Sequence, residues 1–424
     1  MWSSQSEAMA PEQREVLRSW RLAGLVKRLF ETVPFYQKAL ADRGISPGEV
    51  HGATDAPLLP FTTRQDLRDQ YPFGLLSVPR ERIARLHATS GTKGKPTLVA
   101  YTAADLVTWS EIAGRALYAA GCRPGEIWYV ASGYGLFTGG LGAHYGLERV
   151  GAAVVPASSG NTQRLLGLMA DLPPAGIHCI PSYMLRVAEV AEAQGLDPRG
   201  LGLRYGSFGG ETWSEPLRRR IEALFGLTAF DIYGLSECFG PGVAFECEAH
   251  DGLHLSEDHF LFEVIDPTTG QPVPEGERGE LVITSLTKEA MPLLRYRTGD
   301  LTRILPGPCA CGRTLRRMER VRGRADDMLI IRGVNLFPSE VERLLLQFPE
   351  LDAQHRLVID RTGPLDELTV EVEAALADEA LAQNVAQKIK ADLGVSAKVA
   401  IVPPGSLPRS EGKAVRVLDR RPQE

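Results

Sequence analysis

The segment ATSGTKGKPT, residues 88–97, brings together the groups that bind phosphate. Its glycines let backbone N–H groups approach phosphate oxygens, and its hydroxyls and lysines add donors and positive charge. It is not a Walker loop, because Thr89 stands where that pattern has glycine and Pro96 stands where it has Ser or Thr. A surface turn can have the same composition, so the prediction of a triphosphate-binding loop depends on what lies downstream.

Two downstream motifs are suited to the rest of a nucleotide. The run Ala229–Tyr233 predicts a strand, and loops at the carboxyl ends of parallel strands are where such sheets bind ligands. Tyr233 can stack on a purine and Glu237 can bind Mg²⁺, although a core aromatic residue and a solvated acid fit equally well. The motif RYRTGD ends in Asp300, a carboxylate of the kind that accepts ribose hydroxyls.

The segment YGLFTGGLGAHY, residues 134–145, is dense in glycine and aromatic residues. Tyr134, Phe137 and His144, set among small residues, can form the wall of an apolar pocket for a flat ring. The alternative is the start of a helix that packs closely against a sheet through its glycines. The residues alone favour neither.

A second constellation is suited to metal binding and consists of Cys247, His250, His254, Cys309 and Cys311. Thiolates and imidazoles in a CxxH plus CxC arrangement can form a tetrahedral zinc site that joins two distant segments. The spacing differs from that of a zinc finger, and reduced cysteines near surface histidines would give the same pattern. The remaining cysteines are expected to be buried thiols, namely Cys122, Cys179 and Cys238.

Length and composition limit the class of protein. A chain of 424 residues that is 44% hydrophobic and 24% charged is typical of a globular protein with two or three domains. A net charge of −6 argues against a general nucleic-acid binder. The sequence has no membrane-spanning apolar stretch and no signal peptide at its N-terminus, so we expect a cytoplasmic protein.

The periodicity predicts the elements that position these residues. A helix is predicted over 12–33, ending before Pro34, and a strand over 98–101 leaves the phosphate loop. Helical segments then alternate with short apolar runs, which is typical of a parallel sheet covered by helices. These runs lie at 127–131, 152–155 and 176–180. After residue 255 the pattern predicts a small β-barrel or sheet.

The last hundred residues predict a separate α+β module. It contains a helix that begins near Pro338, a strand over 367–372, a helix over 378–393 and a strand over 398–402. In the tail LPRSEGKAVRV, Lys413 follows Pro, Ser and Gly, so we expect it on a loop that can reach a neighbouring site. A lysine near a C-terminus is otherwise most often solvated.

Taken together, these segments resemble the adenylate-forming superfamily, and most closely its phenylacetate–CoA ligase branch. The resemblance extends over most of the chain, as far as Lys413, and rests on many ordered motifs. They are YGLFTGGLGAHYGLERVGA, SSGNTQR, DIYGLSE, GPGVAFEC, GLHLSEDHF, TSLTKEA, RYRTGDL, GRADDMLIIRGVNLFPSEVE and EGKAVRV. It implies an α/β fold with a large N-terminal adenylation domain, residues 1–325, of parallel sheets covered by helices with a small β-barrel-like subdomain. A small mobile α+β domain, residues 326–424, follows.

The resemblance also implies a two-step reaction. A carboxylate attacks the α-phosphate of Mg²⁺-bound ATP to give an acyl-adenylate and pyrophosphate, and the thiol of CoA then displaces AMP. The phosphates are assigned to Thr89, Ser90, Gly91, Thr92 and Lys95, and the adenine to Gly209, Gly210, Glu211, Asp231 and Tyr233, with Gly234 of the same motif in the ATP site. Glu237 is assigned to Mg²⁺, Asp300 to the ribose hydroxyls, and Arg324 to the ribose or phosphate.

The C-terminal domain serves both steps in this family. Lys413 is the expected catalytic cation, bridging the carboxylate and the α-phosphate, and Asp326 is the expected hinge. After rotation, the loop 332–335 presents Gly333, which leaves room for pantetheine. An arginine cluster can help to bind CoA phosphates, although a solvated or salt-bridged face is the more common arrangement. It comprises Arg313, Arg316, Arg317, Arg320, Arg322 and Arg324.

For the acid, the resemblance implies a planar aryl or arylacetic acid enclosed by Tyr134, Phe137, Gly139, Gly140 and Ile232, with Gly209. Some members of the branch carry a zinc at the cysteines, and the GLH segment favours His254 over His250 as its histidine ligand. A homodimer is a family-level expectation. The chain departs from the family at Lys93, commonly Thr, and at Gly299, where the branch more often has Arg.

Two other functions stay open at this point. An aryl-acid AMP ligase could pass the adenylate to a carrier-protein phosphopantetheine thiol or another nucleophile. A catalytically silent nucleotide-binding regulator could use the same scaffold, although the presence of both Lys413 and Glu237 argues against it.

Overall fold

The computed structural model describes residues 1–89, 96–332, 334–361, 366–376, 378–408 and 416–421. Its helices are α1 (Ser4–Glu7), α2 (Pro11–Thr32), α3 (Pro34–Ala41), α4 (Arg64–Asp69), α5 (Ala103–Ala119), α6 (Thr138–Val150), α7 (Thr162–Asp171), α8 (Pro181–Ala193), α9 (Glu215–Phe225), α10 (Pro338–Leu345) and α11 (Glu379–Leu393).

The first half of the strands is β1 (Arg85–Ala88), β2 (Leu98–Tyr101), β3 (Ile127–Val130), β4 (Ala153–Val155), β5 (Gly176–Cys179), β6 (Tyr205–Phe208), β7 (Thr228–Leu235), β8 (Gly240–Phe245), β9 (Leu253–Leu255) and β10 (Phe260–Ile265). The second half is β11 (Gly279–Ser285), β12 (Tyr296–Thr302), β13 (Ile304–Leu305), β14 (Arg317–Met318), β15 (Leu329–Ile331), β16 (Val334–Leu336), β17 (Leu351–Asp360), β18 (Glu367–Ala374), β19 (Ala397–Val402) and β20 (Val417–Asp419).

A nine-stranded sheet forms the centre of the molecule, in the order β13-β14-β9-β8-β7-β6-β5-β3-β4. The strands β4, β3, β5, β6 and β7 are parallel. Every residue of β5 is buried, as expected for a parallel strand covered on both faces. The predicted α/β fold is therefore confirmed, and the predicted strands differ from the observed ones by only a few residues at their ends.

The β-rich region continues this sheet in the antiparallel sense through β8, β9, β14 and β13. A separate antiparallel sheet has the order β10-β11-β12. Side chains from β10 and β11 pack with the apolar face of α2 in one hydrophobic cluster. Strand β12 carries the RYRTGD motif, so this smaller sheet holds Asp300 beside the central one.

The C-terminal module is a four-stranded sheet, β19-β18-β17-β20, with α10 and α11 packed against it. Its hydrophobic cluster is built from residues between Leu329 and Val417. The module also contacts the central domain. Ala353 belongs to the cluster beneath the parallel sheet, and Arg220 of α9 forms an ion pair with Asp352 at 3.1 Å. Among the described residues, each helix is too short or too polar to cross a lipid bilayer.

Candidate active site

The loops after β6 and β7 meet at one edge of the parallel sheet, because the two strands pair with Phe208 opposite Asp231. Glycines allow the close approach. A Cβ on Gly209 would lie 2.2 Å from the carbonyl oxygen of Ile232, and a Cβ on Gly234 would lie 1.9 Å from that of Gly240. Gly210 has a φ of +86°, which favours glycine. The predicted adenine segments therefore lie against each other, with no room for a side chain at Gly209 or Gly234.

Tyr233, Asp300 and Arg324 form one hydrogen-bonded cluster. The Tyr233 hydroxyl donates to Asp300 Oδ2 at 2.6 Å, and Arg324 donates to Asp300 Oδ1 at 3.2 Å. Burial, reinforced by the Asp300 carboxylate, raises the pKa of Tyr233 well above its ordinary value, so the hydroxyl keeps its proton. Three residues from distant motifs, predicted to contact one nucleotide, are thus brought together.

Glu237 lies in the turn that follows β7, and its side chain is buried. Its carboxylate accepts a hydrogen bond from the Tyr296 hydroxyl at 3.4 Å. A buried carboxylate at the end of the strand that carries Tyr233 has the charge and oxygen ligands that Mg²⁺ prefers. The Glu237 carboxylate therefore fits the predicted role of magnesium ligand.

The two other acids of the predicted adenine pocket make different contacts. Asp231 forms an ion pair with Arg320 at 3.1 Å. Glu211 accepts a hydrogen bond from the backbone N–H of Ser182 at 2.7 Å. Because that N–H lies in the first turn of α8, Glu211 fixes the loop after β6 to the start of a helix. Both side chains thus have structural partners at the edge of the sheet.

The strands that flank the predicted phosphate loop form a hairpin, β1 with β2. At its base, the N–H of Thr89 donates to the carbonyl oxygen of Thr97 at 2.9 Å. The loop residues Ser90, Gly91, Thr92 and Lys95, as well as Lys93, lie outside the described residues. Only Thr89 of the predicted phosphate ligands is therefore described.

The aromatic segment lies next to this hairpin. Leu136 accepts a backbone hydrogen bond from Ala88 at 2.9 Å, and the Tyr134 hydroxyl contacts His144 Nδ1 at 3.1 Å. Phe137 immediately precedes α6 and is 47% exposed. This exposed ring beside the phosphate hairpin is available to a ligand.

The other residues predicted to enclose the substrate acid differ in how much free space surrounds them. A Cβ on Gly139 would meet no atom within 4 Å, whereas one on Gly140 would lie 2.6 Å from the carbonyl oxygen of Gly133. Ile232 is 4% exposed and packs in a different hydrophobic cluster, with Phe245 and Leu315. Ile232 therefore packs in a different hydrophobic cluster from the one that Tyr134 packs against.

Two predicted C-terminal residues, Lys413 and Gly333, lie outside the described residues. Asp326 lies in the short turn Ala325–Asp327, directly after Arg324. Arg416 follows Lys413 by three positions, donates to Gln354 at 3.3 Å and lies 3.7 Å from the Glu342 carboxylate. Arg416 is therefore held against α10 and β17.

Glu342 lies where the module contacts the central domain. Burial raises its pKa to about 7, with the charge of Glu211 acting in the same direction and that of Arg416 against it. Glu211 belongs to the predicted adenine loop, so Glu342 of α10 lies close enough to that loop for the charge of Glu211 to act on it. This arrangement brings the C-terminal module up to the edge of the sheet.

The arginine cluster is salt-bridged. Each of its members pairs with a carboxylate: Arg313 with Glu7, Arg316 with Glu257, Arg317 with Asp251, Arg320 with Asp231, Arg322 with Glu319, and Arg324 with Asp300. These pairs support the salt-bridged interpretation of the cluster over a phosphate-binding surface.

The four predicted zinc ligands lie together. Ligand atoms of Cys247, His254, Cys309 and Cys311 are all within 4.8 Å of one another. The sulfurs of Cys247 and Cys309 are 3.7 Å apart, close to the edge of about 3.8 Å that Zn–S distances of about 2.3 Å imply for a tetrahedron. His250 instead contacts Arg218 and stacks on Phe230. The geometry selects His254.

His254 is also in the correct protonation state for a metal. Its Nδ1 lies 3.3 Å from the carbonyl oxygen of Leu315, and its Nε2 lies 3.3 Å from the sulfur of Cys311. Burial lowers the pKa of His254 to about 4, so the imidazole is neutral at neutral pH. A neutral ring that donates one N–H to a carbonyl presents the other nitrogen as a ligand.

Comparison with known families identifies the class of protein. A model of the AMP-binding enzyme family matches residues 37–287, and a model of the AMP-binding enzyme C-terminal domain matches residues 333–421. The chain belongs to the AMP-binding, adenylate-forming enzymes.

Relatives narrow this class to a branch. The phenylacetate-coenzyme A ligase of Thermus thermophilus is 48% identical over 99% of this chain and 100% of its own length. That of Escherichia coli is 48% identical over 98% of this chain and 97% of its own length. The chain is thus a member of the phenylacetate–CoA ligase branch, whose enzymes are AMP-forming acid–thiol ligases.

A solved ligase shows two arrangements of this fold. The 2-hydroxyisobutyryl-CoA ligase in the postadenylation state, in complex with 2-HIB-AMP, matches with a TM-score of 0.93 at 32% identity, over 98% of this chain and 91% of that chain. The same ligase in the thioesterification state, in complex with 2-HIB-AMP and CoA, matches with a TM-score of 0.74, also over 98% of this chain and over 92% of that chain. Because the aligned share is the same, the difference reflects how the parts are arranged. The present arrangement resembles the postadenylation state.

Proposed function

We propose that this protein is an ATP-dependent aryl- or arylacetic-acid–CoA ligase. The carboxylate and ATP give an acyl-adenylate and pyrophosphate, and CoA then forms the thioester and releases AMP. The observation that carries the proposal is the cluster of Tyr233, Asp300 and Arg324, with Glu237 on the same strand end. Full-length similarity to phenylacetate-coenzyme A ligases supports the acid class.

The ATP site is proposed at the edge of the sheet after β6 and β7. Tyr233 stacks on the adenine, and the loop with Gly209 and Gly210 borders it. Asp300 accepts the ribose hydroxyls, and Arg324 orients Asp300 and contacts the ribose or phosphate. The phosphates lie at the hairpin that contains Thr89. Glu237 holds the Mg²⁺ of ATP, which supplies positive charge to the phosphates.

The two domains are proposed to be residues 1–325 and 326–424, and Asp326 is proposed to be the hinge between them. The adenylation step requires a cation between two anionic groups, the substrate carboxylate and the α-phosphate, and Lys413 is proposed for it. In the second step Gly333 is proposed to border the pantetheine path. Its missing side chain would leave that path open.

The roles of the tail are tested by separating the half-reactions. Lys413→Ala is expected to lower pyrophosphate release by about 10²–10³, by analogy with other preorganised donors. Thioester formation from supplied acyl-adenylate and CoA should stay close to wild type. Equal loss of both half-reactions would contradict the assignment of Lys413.

The acid is proposed to lie between the aromatic segment and the adenylate, against Tyr134, Phe137, Gly139 and Gly140. Partial exposure of Phe137 supports this, and a planar acid offers the matching surface. An acid panel should show saturable AMP formation with phenylacetate and substituted benzoates, and none with acetate or long-chain fatty acids. The reverse preference would contradict the pocket. Replacing CoA with a phosphopantetheinylated carrier protein tests the alternative acceptor.

We also propose that Cys247, His254, Cys309 and Cys311 bind a structural Zn²⁺. The ion would join β9 and the segment before it to the turn before β14, and its donor set of three thiolates and one imidazole is typical of closed sites. Elemental analysis after chelator-free purification should find about one zinc per chain. Absence of metal would remove this proposal and leave the ligase proposal intact.

A further inference from the structure

The turn that contains Glu237, residues 236–239, has a strained conformation held by side chains from elsewhere in the chain. Phe239 has a φ of +75°, which non-glycine residues rarely adopt. Such conformations persist where the surroundings fix them. The Tyr101 hydroxyl lies 3.2 Å from the carbonyl oxygen of Ser236 and 3.0 Å from that of Phe239. The hydroxyls of Thr138 and Ser236 hydrogen-bond at 2.9 Å.

Lys288 supplies the contact to Glu237 itself. Its Nζ donates to the carbonyl oxygen of Glu237 at 3.3 Å and lies 4.3 Å from the centroid of the Tyr101 ring. The side chain is 0% exposed. Within the part of the chain that the structure describes, the Glu237 carbonyl is its only hydrogen-bond partner. Burial of an ammonium is costly unless hydrogen bonds and nearby charges compensate for it, and the hydrogen bond to the Glu237 carbonyl is such a contact.

The backbone beside Lys288 is also fixed. The N–H groups of Glu289 and Ala290 donate to the two carboxylate oxygens of Asp105, at 2.6 and 2.9 Å. Asp105 in turn accepts from the N–H of Thr102 and so caps α5. The lysine therefore extends from a rigid backbone toward the turn.

The anchors of the turn come from three parts of the proposed site. Tyr101 ends β2, the strand that leaves the phosphate loop, and Thr138, which lies within the aromatic segment, begins α6. Lys288 belongs to the TSLTKEA motif, for which the adenylation chemistry gives no role. A methionine could fill the same apolar space without the cost of a buried charge. The hydrogen bond to the Glu237 carbonyl is therefore the reason for an ammonium at this position.

We infer that Lys288 is a positioning residue for adenylation: its ammonium fixes the backbone of Glu237, so that the Glu237 carboxylate points toward the Mg²⁺ of bound ATP. This inference rests on the proposed function. Lys288 acts through Glu237, because a fully buried ammonium does not reach the substrates. Its loss should therefore affect metal binding and the first half-reaction, and spare the second.

The test compares Lys288→Met with the control Lys38→Met, which removes an exposed lysine. The first readout is Mn²⁺ affinity of the protein saturated with α,β-methylene-ATP, measured by electron paramagnetic resonance. We expect Lys288→Met to weaken Mn²⁺ binding by about tenfold, the effect of one hydrogen bond to a charged group. Lys38→Met should match the wild type.

The second readout is the two half-reactions. Lys288→Met should lower pyrophosphate release and raise the Mg²⁺ concentration for half-maximal rate by a similar factor. Thioester formation from supplied acyl-adenylate should stay within about twofold of wild type. If Lys288→Met does not fold, Tyr101→Phe removes the other anchor of the same turn while keeping its ring, and the same pattern is expected on a smaller scale.

Two results would overturn the inference: a folded variant with unchanged Mn²⁺ affinity, or equal loss in both half-reactions, which indicates general destabilisation. The proposed function fails in a different way, because the wild-type protein would then form no acyl-adenylate from any acid of the panel.

Discussion

Replacement of Asp300 by asparagine tests the nucleotide site at its most connected residue. The two carboxylate oxygens accept hydrogen bonds from different donors, Tyr233 at 2.6 Å and Arg324 at 3.2 Å. An amide has one acceptor oxygen and one donor group. Asp300→Asn therefore cannot accept from both partners, and its NH₂ group must face one of these donors. The variant keeps the size of the side chain but loses its charge and one acceptor.

The expected magnitude follows from these contacts. A hydrogen bond to a charged group contributes about 1.5–3 kcal/mol, and about 1.4 kcal/mol corresponds to a tenfold change in binding. If Asp300 accepts a ribose hydroxyl, the wild type should use ATP about tenfold to a hundredfold better than the deoxy analogue that lacks it. Asp300→Asn should raise the KM for ATP by a similar factor. The ratio of its activity with ATP to its activity with the deoxy analogue should fall to about one.

The assay is ATP–pyrophosphate exchange with ATP, 2′-deoxy-ATP and 3′-deoxy-ATP. Asp327→Asn is the matched control, because Asp327 is exposed and lies 3.9 Å from the same arginine. The control should keep the discrimination between nucleotides. The reasoning would be refuted by an Asp300→Asn variant that loses activity equally with all three nucleotides and so retains the wild-type ratio.

Three further perturbations follow from local geometry. Gly234→Ala places a Cβ 1.9 Å from a carbonyl oxygen and should lower the free energy of unfolding by about 1–3 kcal/mol. Gly24→Ala is the control, because its Cβ would meet no atom within 4 Å, and it should not lower the free energy of unfolding. Cys309→Ser should abolish zinc binding in elemental analysis, whereas Cys122→Ser, in another cluster, should leave the zinc content unchanged. Glu342 has its pKa raised from 4.5 to about 7, so its ionisation makes the folded state less stable as pH rises from 4.5 to 7. Glu342→Gln should therefore exceed the wild type in denaturation midpoint at pH 8 and match it near pH 4.5, while Glu350→Gln, an exposed control, should match the wild type at both.

The sequence predicted those parts of the fold that local patterns determine. Short apolar runs next to Gly or Pro marked β2, β3 and β5 almost to the residue. Strand β17 was not predicted. Its sequence LDAQHRLVID alternates buried and partly exposed residues over most of its length, but polar side chains such as His355 occupy buried positions. Only pairing with β18 and β20 gives such a segment its place in a sheet.

Non-local contacts also decided the metal ligand. The CxxH spacing alone points to His250, whereas the GLH segment of the family resemblance favours His254, four residues further on. Pairing of β9 with β14 places Arg317 opposite His254, which brings that histidine to the chain segment just after the two cysteines of the CxC motif. The burial of Lys288 could not be predicted from local sequence either, because a lysine between Thr and Glu is usually solvated. Its burial arises from the packing of Tyr101 and Phe239 around its side chain.

The contact between the C-terminal module and the central domain is compatible with the proposed rotation of that module. The ion pair of Arg220 with Asp352 is partly exposed, and such pairs contribute about 0–1 kcal/mol. The carboxylate of Glu342 faces the charge of Glu211, and burial raises its pKa, so the ionised form of Glu342 is disfavoured at this contact. The proposed rotation would break these contacts in every cycle. A strongly favourable interface would hold the arrangement that resembles the postadenylation state and slow thioester formation, so weak polar contacts around a small apolar patch are what two successive half-reactions require.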